Sequence, residues 1–125
     1  MSYLLYGEGG VPVNEETTVA KPPTAYNYSD SIEKAIERAK QVLLAKKNEY
    51  ATADHFHNFR VAAALQGKPM KEALSGMMAK HTVSVYDMCC SGKTYPMELW
   101  DEKITDHINY LLILRALIDM EGDNV

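Results

Sequence analysis

The residues best suited to chemistry lie in the last third of the chain. Glu98, Glu102, Asp106 and Asn109 follow one another at steps of four, four and three. At about 100° per residue, that spacing puts all four in one narrow stripe of a helix. The stripe continues through Ile113 and Leu117, which are apolar, so the acidic groups sit on a side that later enters a core. Carboxylates one helical turn apart can share a hard cation such as Mg²⁺ when substrate oxygens or further acids complete its shell. The alternative is a partly solvated acidic face, balanced by Lys103 and by basic residues of a neighbouring helix. The second is commoner for carboxylate pairs in general, and the run into apolar residues brings the two readings level.

Two other groups could work with that stripe. Lys80, Ser84 and Asp87 fall on one line of a preceding helix. Lys80 can bind a phosphate or pair with Glu102, and Asp87 can join a metal site or pair with Lys80. Spacing alone favours a salt-bridge network there. Lys47-Asn48-Glu49-Tyr50 and His55-Phe56-His57-Asn58-Phe59 are dense in polar groups and rings. They fall where one helix ends and the next begins, a good place to present an amide, an acid and a ring to a ligand. Capping and turn chemistry by Asn48, Asp54 and Asn58 is the competing account. His55 and His57 with Cys89 and Cys90 do not make a zinc site, because His-x-His points to opposite sides of a helix and adjacent cysteines chelate poorly. His81, central in an apolar face with several methionines, reads as a neutral core histidine in ordinary packing. Nothing marks His107 as a ligand.

Four helices would position these groups. Asp30 with Glu33 predicts an N-cap and capping box, followed by an apolar stripe of Ile32, Ile36, Ala39 and Leu43. That helix should reach about Lys47 or Tyr50. A second covers about His55 to Leu65 and stops at Gly67. Pro69 suits the first turn of a third, with Met70, Leu74, Met77, His81, Val85 and Met88 on one face. The segment from Ser91 to Pro96 breaks the chain, and a fourth helix runs from about Met97 to Met120. No alternating strand pattern or internal repeat appears in residues 30–120. The expected fold is all-α: a compact four-helix domain over residues 30–125 behind an irregular N-terminal arm, residues 1–29. The arm holds Gly7, Gly9, Gly10, Pro12, Pro22 and Pro23, half of the chain's glycines and prolines. Its first six residues could form a short strand. Its Gly7-Glu8-Gly9-Gly10 lacks the context of a phosphate loop and reads as linker.

Composition narrows the function classes. The chain has 125 residues, enough for one domain. Its net charge of −4 disfavours nonspecific binding to duplex nucleic acid. No apolar run is long enough to span a bilayer and no signal peptide opens the chain, so no membrane association is expected. The two cysteines are neighbours, which gives no disulfide framework and points to a reduced, cytoplasmic setting. Leu111-Leu112-Ile113-Leu114 leaves the fourth helix without a broad polar face there. A helix apolar all round must be covered on several sides, and so small a domain predicts a homo-oligomer to do it.

The sum of these motifs resembles a known family. Lys47-Asn48-Glu49-Tyr50, Asn58-Phe59, the span from Lys80 to Asp87, and the run from Glu102 through Asp106 to Asn109-Tyr110 are similar to the nucleotide-modification-associated domain of the first type, found in small phage proteins. The likeness covers roughly residues 36 to 118. That family in turn resembles the all-helical nucleoside triphosphate pyrophosphatases of the MazG and dimeric dUTPase group, which hold Mg²⁺ with helix-borne carboxylates. The resemblance implies a phage protein in the host cytoplasm that handles a nucleotide, as a Mg²⁺-dependent pyrophosphohydrolase cleaving between the α- and β-phosphates. It implies Glu102 and Asp106 as metal ligands, with Glu49 or Asp87 as an added acid and Asp87 among the catalytic groups. It also implies Lys80 facing phosphate, with Asn48, Tyr50, Asn58 and Asn109 as substrate-binding residues. The first helix carries only Glu33 and Glu37 before Glu49, not the E-E-x-x-E of the pyrophosphatases. The alternative is therefore a non-enzymatic phage accessory protein that binds a nucleotide or a host protein.

Overall fold

The computed structural model describes residues 25–49 and 54–123. These form four α-helices: α1 Tyr28–Glu49, α2 His57–Gln66, α3 Met70–Cys90 and α4 Met97–Asp123. Among the described residues there is no strand, so the fold is all-α. The strand considered for the first six residues, and residues 1–24 of the arm, lie outside the described residues.

Each helix boundary has a local cause. At α1 the expected capping residue is corrected. Asn27, not Asp30, caps the helix, its side-chain oxygen accepting the Asp30 N–H at 2.9 Å. Asp30 then stands in the first turn, where it favours the positive end of the helix dipole and pairs with Lys34 at 3.0 Å. Gly67 ends α2 with φ +63°, a left-handed conformation that glycine adopts without cost. Two N–H groups close that end: Gly67 donates to the Ala64 carbonyl and Lys68 to the Ala63 carbonyl. Pro69 stands just before α3, where its carbonyl accepts from the Glu72 and Ala73 N–H groups.

The break between α3 and α4 is organised around Ser91. Its hydroxyl donates to the Met88 carbonyl and accepts from the Lys93 N–H and the Tyr95 hydroxyl, all within 3.2 Å. Tyr95 then meets Trp100 edge-on at 5.8 Å, which ties the loop to the first turn of α4.

α4 packs against α3 and α1, and α2 packs against α3. The core is small. Phe59 of α2, Leu74 of α3 and Leu117 of α4 form one buried cluster, with Met70, Met77, Ile113 and Leu114 around it. α3 presents the face expected of it: Leu74 and Met88 are buried, and Met70, Met77, His81 and Val85 are half-buried. α1 does so only in part. Ala39 is buried, but Ile32 and Ile36 remain 44% and 59% exposed. Two further ties fix α4. Arg38 meets Asp101 at 3.3 Å, and the Thr82 hydroxyl lies 3.0 Å from a ring nitrogen of His107.

No helix among the described residues is long and apolar enough to cross a membrane. The four consecutive apolar residues of α4 are covered on one side only. Ile113 and Leu114 are half-buried, whereas Leu111 and Leu112 are 50% and 46% exposed.

The core predicts a steep contrast between two kinds of leucine. Leu74→Ala and Leu117→Ala should each cost about 2–5 kcal/mol in urea unfolding, because both side chains are fully buried. Leu65→Ala, at a position 82% exposed, should change stability by no more than about 0.5 kcal/mol.

Candidate functional site

The stripe on α4 behaves as its composition requires. Along it, Glu98 and Glu102 are exposed, Asp106 is half-buried, Asn109 is buried, Ile113 is half-buried and Leu117 is buried. The polar end of the stripe therefore sinks into the molecule at Asp106 and Asn109.

There a cavity of about 670 Å³ opens between α1, α2 and α4. Leu43 and Leu44 of α1 line it. His55, Phe56, Asn58 and Phe59 line it from the start of α2, and α4 supplies Asp106, Asn109, Tyr110, Leu112, Ile113, Ala116, Asp119 and Met120. Its walls are mostly apolar and aromatic with a few polar groups set among them, the usual make-up of a small-molecule site.

Asn109 is the decisive polar group. It is 7% exposed, and its Oδ1 is the one buried side-chain polar atom without a hydrogen-bond partner among the described residues. Buried polar groups are nearly always satisfied, and leaving one unmade costs about 1–3 kcal/mol. The residue lines the cavity while the oxygen itself is covered by protein, so a ligand N–H or O–H reaches it only as neighbouring side chains give way.

Tyr110, the next residue, is fixed by rings on two sides. Phe59 meets it edge-on at 6.2 Å, and His81 lies tilted against it at 4.8 Å. Burial pushes its phenol pKa up, and the nearby Asp106 charge adds to the rise. The hydroxyl thus keeps its proton at neutral pH and remains a donor. His81 serves as a packing partner of this ring, in the apolar face where it was expected.

The α2 side of the cavity is set by Asp54. Its carboxylate accepts the Phe56 N–H at 3.0 Å and the Arg60 Nε at 2.9 Å. Its carbonyl accepts the His57 N–H. Phe56, at the cap position itself, offers no side-chain cap, so Asp54 does that work from two residues earlier. The fork of Asp54 and Arg60 thereby orients the turn that carries His55, Phe56 and Asn58.

The expected site residues separate into groups. Asn58, Asp106 and Asn109 converge on the cavity. Glu102, one turn before Asp106, is exposed and outside the lining. Lys80 and Asp87 lie with Ser84 along an open face of α3 and do not line the cavity. Asn48 and Glu49 belong to the last turn of α1, but their side chains, and Tyr50 altogether, lie outside the described residues. Among the described residues, Asp87, Glu102 and Asp106 make no salt bridge; the carboxylates that do are Asp30, Asp54, Asp101, Asp119 and Glu121. Neither Lys80 nor Lys103 takes part in those pairs. Among the described residues, no three acidic, histidine or cysteine side chains gather to hold a metal ion.

Reading the sequence missed Asp119 of the lining and the ring contact that holds Tyr110. Asp119 sits four residues after Arg115 and pairs with it, so its spacing looks like an ordinary surface pair. The ring pair of His81 and Tyr110 joins residues from two helices, and no local pattern announces it. No family model, curated protein or solved structure matches the chain.

The Asp54 fork gives a pH-dependent prediction. The bond from Arg60, and then that from the Phe56 N–H, hold the Asp54 carboxyl below its ordinary pKa. A depressed folded-state pKa adds stability that is fully present above the unfolded-state value and is lost as pH falls through the folded one. Asp54→Asn should therefore lower Tm at neutral pH, and the gap to wild type should narrow as pH falls through and below the ordinary aspartate range. Circular dichroism melts across that range check it; an offset that stays constant with pH contradicts it.

Proposed function

We propose that this protein binds a nucleotide in the cavity between α1, α2 and α4, with Asn109 as the group that reads it. The observation that carries this reading is the buried, unpartnered Asn109 Oδ1 on the wall of a cavity of about 670 Å³. A nucleobase offers what that wall lacks: a flat face for Phe56, Phe59 and Tyr110, and ring or exocyclic N–H groups for the amide oxygen. The residues of the family likeness that meet in one place, Asn58-Phe59, Asp106 and Asn109-Tyr110, are those of the lining.

The activity that accompanies this reading is Mg²⁺-dependent hydrolysis between the α- and β-phosphates of a nucleoside triphosphate. Mg²⁺ commonly keeps several waters and is held by one or two carboxylates together with substrate phosphates. Asp106 and Glu102 on consecutive turns of α4 suit a cation that arrives with the nucleotide, and Glu49 is the proposed third acid. Lys80 and Asp87, along an open face of α3 and outside the cavity lining, have a smaller part in this version of the site. The metal's contribution is to polarise phosphoryl oxygens.

A second reading, nucleotide binding without turnover, is favoured by one observation: no three metal-binding side chains gather among the described residues. It requires the cavity and not the cation.

Thermal shift against a panel of nucleoside triphosphates with Mg²⁺ tests the common ground. A nucleotide at a hundredfold excess over its Kd should add about 2.7 kcal/mol to stability. Asn109→Leu should abolish that shift and melt at or above the wild-type temperature without ligand, since it removes an unsatisfied buried amide. A shift that survives Asn109→Leu contradicts the proposal. Pyrophosphate release that is lost in Glu102→Gln and Asp106→Asn, with binding retained, assigns the enzyme; binding without release in wild type assigns the second reading.

A further inference from the structure

The outer side of α4 carries an apolar stripe that its own fold leaves open. Met97, Ile104, Leu111 and Ile118 recur every seven residues along the helix. They remain 68%, 39%, 50% and 44% exposed. The stripe lies between the two flanks of α4 that are in use. On one side His107 faces Thr82 of α3, and on the other Asp101 faces Arg38 of α1. A seven-residue repeat over three heptads is the pattern of one helix made to lie along another. Apolar side chains scattered singly on a surface need no explanation, but four in register on one helix do.

The charges beside the stripe identify the occupant. Asp101 and Arg115 stand each seven residues from Ile108, one on either side of it. If two α4 helices pair antiparallel about a two-fold axis at Ile108, each Asp101 meets Arg115 of the second copy. A parallel pairing would instead set Asp101 against Asp101 and Arg115 against Arg115. A two-fold interface must be complementary to itself, and this stripe is so in one orientation only. Both groups keep their partners within the chain, Arg38 and Asp119, and these pairs are surface-exposed, so the contact extends them into a network. We propose that this protein is a homodimer built on α4, with two copies antiparallel across the Met97–Ile118 stripe and centred on Ile108. Of the cavity lining, Asp106 and Asn109 belong to another side of the helix, whereas Leu112 and Asp119 stand beside the stripe, so the interface borders the cavity.

Sedimentation of the full-length chain at micromolar concentration should give a dimer. Leu111→Glu, at a position already half exposed, should weaken association at least about thirtyfold, as loss of a central apolar contact does, with helical content unchanged by circular dichroism. Orientation is read by cross-linking. In a Cys89→Ser, Cys90→Ser background, Ile108→Cys should oxidise to a disulfide-linked dimer, while Val61→Cys on α2 should not. A full-length chain that sediments as a monomer overturns the proposal and leaves the stripe to residues 1–24 or to another protein. A dimer that resists Leu111→Glu, or one that fails to cross-link at position 108, overturns it as well.

Discussion

The burial of Leu117 against Leu74 and Phe59 is the contact on which the rest of the molecule depends. It brings three helices to one point, and the described residues offer no second apolar cluster of comparable depth. α2 is only ten residues long, too short to hold its shape without tertiary support. It is retained because Phe59 reaches this cluster and because Asp54 and Gly67 fix its two ends. α4 in turn takes its rotation from Leu117. Once that side chain faces inward, Ile113, Asn109 and Asp106 must follow along the same side.

That rotation creates a conflict, and the conflict is where function is best sought. A helix face set by Leu117 and Ile113 draws Asn109 inside although its amide oxygen finds no partner there. Local sequence choices in a stable fold normally agree with one another, and exceptions mark sites under another demand. The same face carries Tyr110 between Phe59 and His81, so the amide is flanked by a rigid ring system. A ligand that satisfies Asn109 would recover free energy that the empty protein forgoes.

Much of the fold could be read from the chain alone. Gly67, Pro69 and the break from Ser91 to Pro96 located the helix ends within a residue or two, because each acts through its own backbone or its nearest neighbours. The Asn27 cap was misassigned to Asp30, since two suitable acceptors lie three residues apart and only the chain path before α1 chooses between them. The burial gradient from Glu98 to Leu117 was legible because helical periodicity places residues on a face without reference to other helices. What was not legible depends on pairs of helices. Periodicity does not say that Lys80 and Asp87 stay out of the cavity that Asp106 lines, nor that His81 meets Tyr110. It gave α1 an apolar stripe but not where that stripe loses its cover, at Ile32 and Ile36. The full run from Leu111 to Leu114 suggested cover on all sides, whereas the structure covers it on one.

The central claim is that the cavity at Asn109 takes a nucleotide. A ¹⁵N-correlated NMR titration with a nucleoside triphosphate and Mg²⁺ tests it most directly, because it reports where binding occurs and not only whether. The account predicts saturable shifts of the Asn109 side-chain amide and of the backbone amides of Phe56, Phe59 and Tyr110. Shifts confined to Lys80, Ser84 and Asp87 on α3, or none at all, would contradict it.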